Sequence, residues 1–395
     1  MPETNVFHSL ATNRKEELVA IRRHLHAHPE LSYQEDETAR FISKKLDEMG
    51  ISHVGQIGGN GIVASIGTQG GKVVALRGDM DALPILEEND VPYASKNKGV
   101  MHACGHDVHT TCLLGAASVL KSMESDLNGL VQLIFQPAEE RIPGGASLMI
   151  KDGILKNPDI QLIFGQHVFP DMEVGHVGFK EGMYMASADE LYFTVKGKGG
   201  HAALPHTCID PVLIASHLIV ALQQMVSRRA RADMPTVLSI GKVEAKGATN
   251  IIPDKVQLEG TMRTMNEELR DKMHKEIEQL ANHLCKSMGA EVDIEIRKGY
   301  PSLVNDPKVT NWAKSKAIEV LGDDKVHDLP IRMTAEDFAY FAQEVPACFY
   351  RLGTSNKAAG IGAPLHTSRF DVDEDALVIG TSLMSTFAAK ALDEL

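Results

Sequence analysis

The sequence predicts an α/β fold in which a helix-covered mixed sheet is interrupted by an inserted α+β block of order βαββαβ. Two observations carry this expectation. In the first part of the chain, short continuous apolar runs alternate with segments of helical apolar spacing, the pattern of a sheet covered by helices. From about Ala188 the pattern becomes strand, helix, strand, strand, helix, strand, and the alternation resumes only after Tyr300-Pro301. At 395 residues the chain is too long for one ordinary core. The expected division is therefore 1–187 and 300–395 for one domain and 188–299 for the insertion.

Residues 15–27 and 35–49 have helical apolar spacing, and Gly50 stops the second helix. Residues 61–67 and 72–77 are short β-branched runs, and 130–135 and 160–164 are apolar runs suited to strands buried on both faces. A helix over 108–123 leads out of a cysteine-histidine loop. The insertion reads as strand 191–195, helix 210–229, strands 236–244 and 255–263, helix 266–288 and strand 291–298. The apolar width of its first helix, with Val212, Leu213, Ile214, Leu218, Ile219, Ala221, Leu222 and Met225, exceeds a single core stripe. Either a second subunit or the insertion's own sandwich accounts for that width. The returning part reads as helix 307–321, the segment 335–345, strand 347–352 and a last helix over 374–392.

A formal charge of −13 and a pI near 5.7, with no basic stripe, argue against nucleic acid or an anionic membrane as partner. Five scattered cysteines make no disulfide framework. The first residues lack a basic and then apolar leader, and no run approaches the ~18 apolar residues of a membrane span. A cytoplasmic address and a small-molecule substrate are the expectations.

Chemistry concentrates in Met101-His102-Ala103-Cys104-Gly105-His106-Asp107, where a thiolate and an imidazole two residues apart have metal-ligand spacing. Gln136-Pro137-Ala138-Glu139-Glu140, Gly165-Gln166-His167 and Leu365-His366-Thr367 follow strand-like runs or a glycine-rich loop. Ligands of α/β sheets bind beyond the carboxyl ends of strands, where Glu139, Glu140 and His167 fall. Cys104, His106, Glu140, His167 and His366 exceed what one open zinc site needs, so two divalent ions sharing Cys104 is the economical reading. Zinc or manganese suits this donor set, and nickel or cobalt is compatible with it. Glu140 is read as a ligand, which leaves Glu139 to move a proton.

The ordered series Arg22-Arg23-His24-Leu25-His26, Pro29-Glu30-Leu31-Ser32, Arg77-Gly78-Asp79-Met80-Asp81-Ala82-Leu83-Pro84 and His102-Ala103-Cys104-Gly105-His106-Asp107 resembles the M20 family of metallo-amidohydrolases. So do Gln136 to Glu140, Gly199-Gly200-His201-Ala202-Ala203, Asn250-Ile251-Ile252-Pro253, Ala335-Glu336-Asp337-Phe338 and His366-Thr367. The branch is that of hippurate hydrolases, N-acyl-amino-acid deacylases and indoleacetyl-amino-acid hydrolases. The resemblance spans nearly the whole chain and implies a di-metal hydrolase domain with an inserted lid or dimerisation domain. It places metal ligands on Cys104, His106, Glu140, His167 and His366 and the general base on Glu139. His201 would donate to the scissile carbonyl oxygen, often across a subunit interface.

Asp79 and Asp81 match a family segment and are read as carboxylates that orient ligand imidazoles. Asn250 and Arg263 have the chemistry to hold a substrate carboxylate. His24 and His26 are read as packing or capping residues. The implied activity is hydrolysis of the amide of an N-acyl L-amino acid by a homodimer or higher homo-oligomer. Three rivals remain at this point: a di-metal carboxypeptidase or dipeptidase, a hydrolase with Cys104 as nucleophile activated by His106, and a non-catalytic amino-acid-binding protein.

Overall fold

The computed structural model describes residues 4–395. Residues 1–3, part of the segment that motivated the cytoplasmic expectation, lie outside it. The chain begins with helices α1 (Thr4–Thr12), α2 (Lys15–Ala27) and α3 (Asp36–Glu48), then strands β1 (His53–Ile57), β2 (Gly61–Gly67) and β3 (Lys72–Asp79). Helix α4 (His106–Lys121), strand β4 (Gly129–Gln136), helix α5 (Gly145–Lys151) and strands β5 (Leu162–Glu173), β6 (Val177–Phe179) and β7 (Gly182–Met185) follow. Next come β8 (Asp189–Lys196), β9 (Gly200–His201), α6 (Pro211–Gln224), β10 (Thr236–Ala245), β11 (Ile251–Ile252), β12 (Lys255–Thr264), α7 (Glu267–Ser287) and β13 (Glu291–Lys298). The chain closes with β14 (Leu303–Asn305), α8 (Pro307–Leu321), β15 (Val326–Asp328), α9 (Ala339–Glu344), β16 (Ala347–Ser355) and α10 (Ala376–Glu394).

Two units emerge. The first comprises the described residues up to Met183, Val304–Ile331 and Asp337–Leu395, and the second Tyr184–Leu303 and Arg332–Glu336. The sequence placed the crossovers at 187/188 and 299/300 and gave 332–336 to the first domain. Pairing explains the last difference: Ala186 N–H donates to the carbonyls of Arg332 and Thr334 at 3.2 and 3.1 Å.

In the first unit a mixed eight-stranded sheet runs β1-β2-β4-β3-β5-β16-β6-β15. Strands β4, β3, β5 and β16 are parallel neighbours, so their carboxyl ends open on one edge. β4 and β16 are buried along their whole length, as their apolar runs require. Almost all of α4 is buried. Gly115 lets it lie close to its neighbours, because a Cβ there would stand 2.5 Å from Thr381 Oγ1 on α10 and 2.6 Å from Leu18 Cδ2 on α2.

The second unit is a four-stranded antiparallel sheet, β10-β12-β8-β13, the split βαβ arrangement. Leu191, Phe193 and Val195 alternate into a core shared with α6 and α7. Asp210 caps α6 by accepting from Val212 N–H, with Pro211 in the first turn, and Asn266 caps α7 by accepting from Leu269 N–H.

Some elements depart from expectation. β5 runs to Glu173, so His167 stands within a strand that pairs with β16 rather than beyond its end. Helix α6 widens into a π turn at Met225–Arg229. α1, β1, α5 and the two- to four-residue strands were not anticipated, since such short pieces carry too few positions for a period to show.

Candidate metal centre

Asp81 organises the centre. One carboxylate oxygen faces His106 Nδ1 at 3.1 Å and accepts from Glu139 N–H at 3.1 Å. The other accepts from Glu140 N–H at 3.0 Å and from Ser32 Oγ at 2.6 Å. The turn that presents the two glutamates has Ala138 at φ 51°, a conformation that a side chain resists. Glu35 holds it, its Oε1 accepting from Ala138 N–H at 2.8 Å. Burial, reinforced by Asp81, raises the Glu35 carboxyl to about 7. His366 also has positive φ, 60°, and its N–H is tied to Ala103 O at 2.8 Å, joining its loop to the cysteine-histidine loop.

Cys104 Sγ lies 3.4 Å from His167 Nε2 and 3.3 Å from His366 Nε2. His366 Nε2 lies 3.2 Å from Glu140 Oε1, and His106 Nε2 is 3.9 Å from the same oxygen. Two sets of donor atoms result, each within 4.8 Å: Cys104, His106 and His167, and Cys104, Glu140 and His366. They share the sulfur. Glu139 joins His106 and Glu140 in a third such group.

A leftover atom tests whether these residues suit cations. Among the described residues, His106 Nε2 is buried without a hydrogen-bond partner and points into this cluster. Such an atom costs free energy unless something satisfies it. Burial works against protonation of His106, yet Asp79, Asp81 and Glu140 raise it to about 10. That field of negative charge, facing three imidazoles and a thiol, fits divalent cations. Burial, with Glu140 and Glu139, pushes the Cys104 thiol well up. His106 Nδ1 is engaged by Asp81, and the imidazoles that meet the sulfur at 3.4 and 3.3 Å are those of His167 and His366, not the His106 that the thiol-nucleophile reading pairs with Cys104.

Asp79 meets His109 Nδ1 at 2.5 Å, while its second oxygen stays 3.8 Å from His106 Nε2. Its direct imidazole partner is therefore His109, which the sequence reading passed over. The available signal was its place three residues after His106 on one helix. Glu35 and Asp337 were also missed as supports: Asp337, which lies in the Ala335 to Phe338 motif but was given no role there, accepts from Arg77 Nη2 and Gln136 Nε2, each at 2.8 Å, and no local pattern announces Glu35. His26 lies between Asp107 at 2.7 Å and Glu87 at 3.2 Å, a buried hydrogen-bonded bridge rather than packing, and His24 stacks on Phe41.

The remaining candidates lie in the second unit. His201 pairs with Ile251 across β9 and β11, and Ala202 N–H donates to Asn250 O at 3.0 Å, so exposed His201 and Asn250 sit on adjoining segments. Arg263 on β12 is half-buried. Burial pulls its guanidinium down, its contact with Met333 O is a long 3.4 Å, and no carboxylate pairs with it among the described residues.

Comparison with known proteins agrees with this geometry. The chain is 40% identical over 386 residues to an N-acetyl-L-cysteine deacetylase of Bacillus subtilis (strain 168), covering 98% of this chain and 90% of that protein. It is 40% identical over 382 residues to the IAA-amino acid hydrolase ILR1-like 4 of Arabidopsis thaliana, covering 96% and 86%. A crystal structure of a dinuclear metal-binding M20 peptidase from Bacillus subtilis superposes with a TM-score of 0.83 at 35% identity, covering 99% of both chains. The family model described as Peptidase family M20/M25/M40 matches residues 75–390. With this match over residues 75–390 and relatives 40% identical along nearly the whole chain, the chain belongs to peptidase family M20/M25/M40.

Proposed function

We propose that the protein hydrolyses the amide of N-acyl L-amino acids, releasing a carboxylate and a free amino acid. The carrying observation is Cys104 Sγ between His167 Nε2 and His366 Nε2 at 3.4 and 3.3 Å, which supports one thiolate serving two ions. The proposed ligands are Cys104, His106 and His167 for one ion and Cys104, Glu140 and His366 for the other. When bound, the ions supply Lewis acidity toward a carbonyl oxygen and toward water. Zinc or manganese fits the mixed sulfur, nitrogen and oxygen donors, with nickel or cobalt as the other candidates.

Glu139, beside the ligands and not needed by either set, is the proposed general base: it takes the proton of the attacking water at a carboxylate oxygen and gives it to the leaving amine. Asp81 fixes His106 through Nδ1, leaving Nε2 for the metal. Asn250 and Arg263 would hold the free carboxylate of the amino acid, and a half-buried guanidinium with no carboxylate partner among the described residues supports that reading. Metal analysis combined with hydrolysis of acetyl-, benzoyl- and indoleacetyl-amino acids against dipeptides tests the proposal. Turnover of acyl amino acids should exceed that of dipeptides, and the reverse ranking would favour the dipeptidase or carboxypeptidase reading.

The second unit is proposed as a lid and dimerisation domain. Val220 on α6 is 73% exposed, Leu213 52%, and Val243 on edge strand β10 57%. Apolar surface beside an open strand edge supports pairing with a second copy. His201 is the proposed donor to the oxyanion, and His201→Ala should lower kcat roughly 10²-fold with metal content unchanged. Mixing His201→Ala with Glu139→Gln subunits distinguishes the routes: recovered activity places the donation across the interface, and no recovery places it within one chain. All five cysteines are free thiols, which supports the cytoplasm as the compartment. Among the described residues no helix is long and apolar enough to cross a membrane.

A further inference from the structure

We infer that His109 is a positioning residue for the metal centre, holding ligand His167 in place through the peptide group of Val168. This rests on the metal reading above and adds a residue with no role in it. His109 is fully buried on α4, one turn beyond His106. Its Nδ1 lies 2.5 Å from Asp79 Oδ1, and its Nε2 accepts the Val168 N–H at 2.9 Å. A backbone N–H needs an acceptor, so Nε2 carries no proton and Nδ1–H donates to Asp79. Asp79, His106 and His109 fall within ligand distance of one another, but both nitrogens of His109 are already engaged, so it is not itself a ligand.

The other end of the same residue acts on the metal site. The Val168 carbonyl accepts from His167 Nδ1 at 2.8 Å, which leaves His167 Nε2 unprotonated and turned toward Cys104 Sγ at 3.4 Å. Val168 is thus held by its N–H and orients the ligand ring by its carbonyl. Its side chain also supports the ligand loop: a Cβ on Gly105 would stand 2.5 Å from Val168 Cγ2, so the loop between Cys104 and His106 rests directly on it. Asp79 is anchored in turn by Arg77 Nη1 at 2.5 Å and by Thr110 Oγ1 on its carbonyl at 2.7 Å. The relay therefore ties β3, α4 and β5, the elements bearing Asp79, His106 and His167, into one register.

An imidazole is suited to the task because it offers a donor and an acceptor at fixed spacing on a rigid ring. Leucine fills comparable space but leaves the Val168 N–H and Asp79 Oδ1 without this partner. Glutamine restores a donor and an acceptor about as far apart as the ring nitrogens. The loss expected from removing such an outer partner is about 10- to 100-fold in metal affinity.

The test is titration of cobalt(II) into the metal-free full-length protein, followed by thiolate-to-cobalt charge transfer and d–d absorption, in wild type, His109→Leu, His109→Asn and His109→Gln, with melting temperature measured alongside. Expected is a 10- to 100-fold weaker ion at the Cys104, His106 and His167 set in His109→Leu, with altered d–d bands and a smaller loss in His109→Gln. His109→Asn, too short to span both partners, should behave as His109→Leu and serves in its place if that variant does not fold. Unchanged affinity in a folded Leu or Asn variant overturns the inference. So does an equal loss in the Gln variant, which would mark a packing role. Failure of the wild type to bind cobalt would instead sink the metal reading itself.

Discussion

Cys104→Ala should strip both ions and abolish measurable turnover, because the two donor sets have that one sulfur in common. Removing any other ligand leaves one set complete; removing the thiolate leaves neither. The affinity loss should exceed the ~10–100-fold that accompanies an altered outer partner. Elemental analysis after gel filtration, with the rate on an acyl amino acid, reads both effects. Serine replacements of Cys112, Cys208, Cys285 and Cys348 should keep full metal occupancy, since none belongs to a candidate ligand group among the described residues. Cys104→Ser retaining two ions and full activity would show that the thiolate does not bridge.

Glu139→Gln should lower kcat by at least ~10²-fold while metal content and melting temperature hold, the loss expected when a general base is removed. Glu139 is 6% exposed, its N–H is bound to Asp81 Oδ1, and its Oε1 lies 3.4 Å from Asp337 N. A carboxamide keeps that shape and its oxygen still accepts from Asp337, so only proton transfer is lost. Near wild-type kcat in this variant would transfer the base to another group. A matching fall in bound metal would instead make Glu139 a ligand, the role its proximity to His106 and Glu140 also allows.

Much of the architecture was legible because burial imposes period and composition. β4 and β16 are buried on both faces and read as unbroken apolar runs; α2 and β2 fall where their spacing put them. The order of elements in the second unit was readable for the same reason, each strand being half-covered and α7 one-sided. The short strands β6 and β15 escaped, since three residues display no period.

The sequence alone determined the chemical inventory: a thiol and imidazole two residues apart, adjacent glutamates after an apolar strand, and two further histidines in recognisable settings. Donor type and local spacing are covalent facts, and they survive without coordinates. Only the tertiary structure decided which partners each group meets. It assigned Asp81 to His106 and Asp79 to His109, made Glu35 the support of the strained Ala138 turn, and placed Cys104 Sγ between two imidazoles. Those pairings join residues tens to hundreds of positions apart. In part they follow from the parallel register of β3, β4 and β5, which sets Asp79 beside Gln136 and Arg77 beside Gly165, and strand order is a property of the packed sheet rather than of any segment within it.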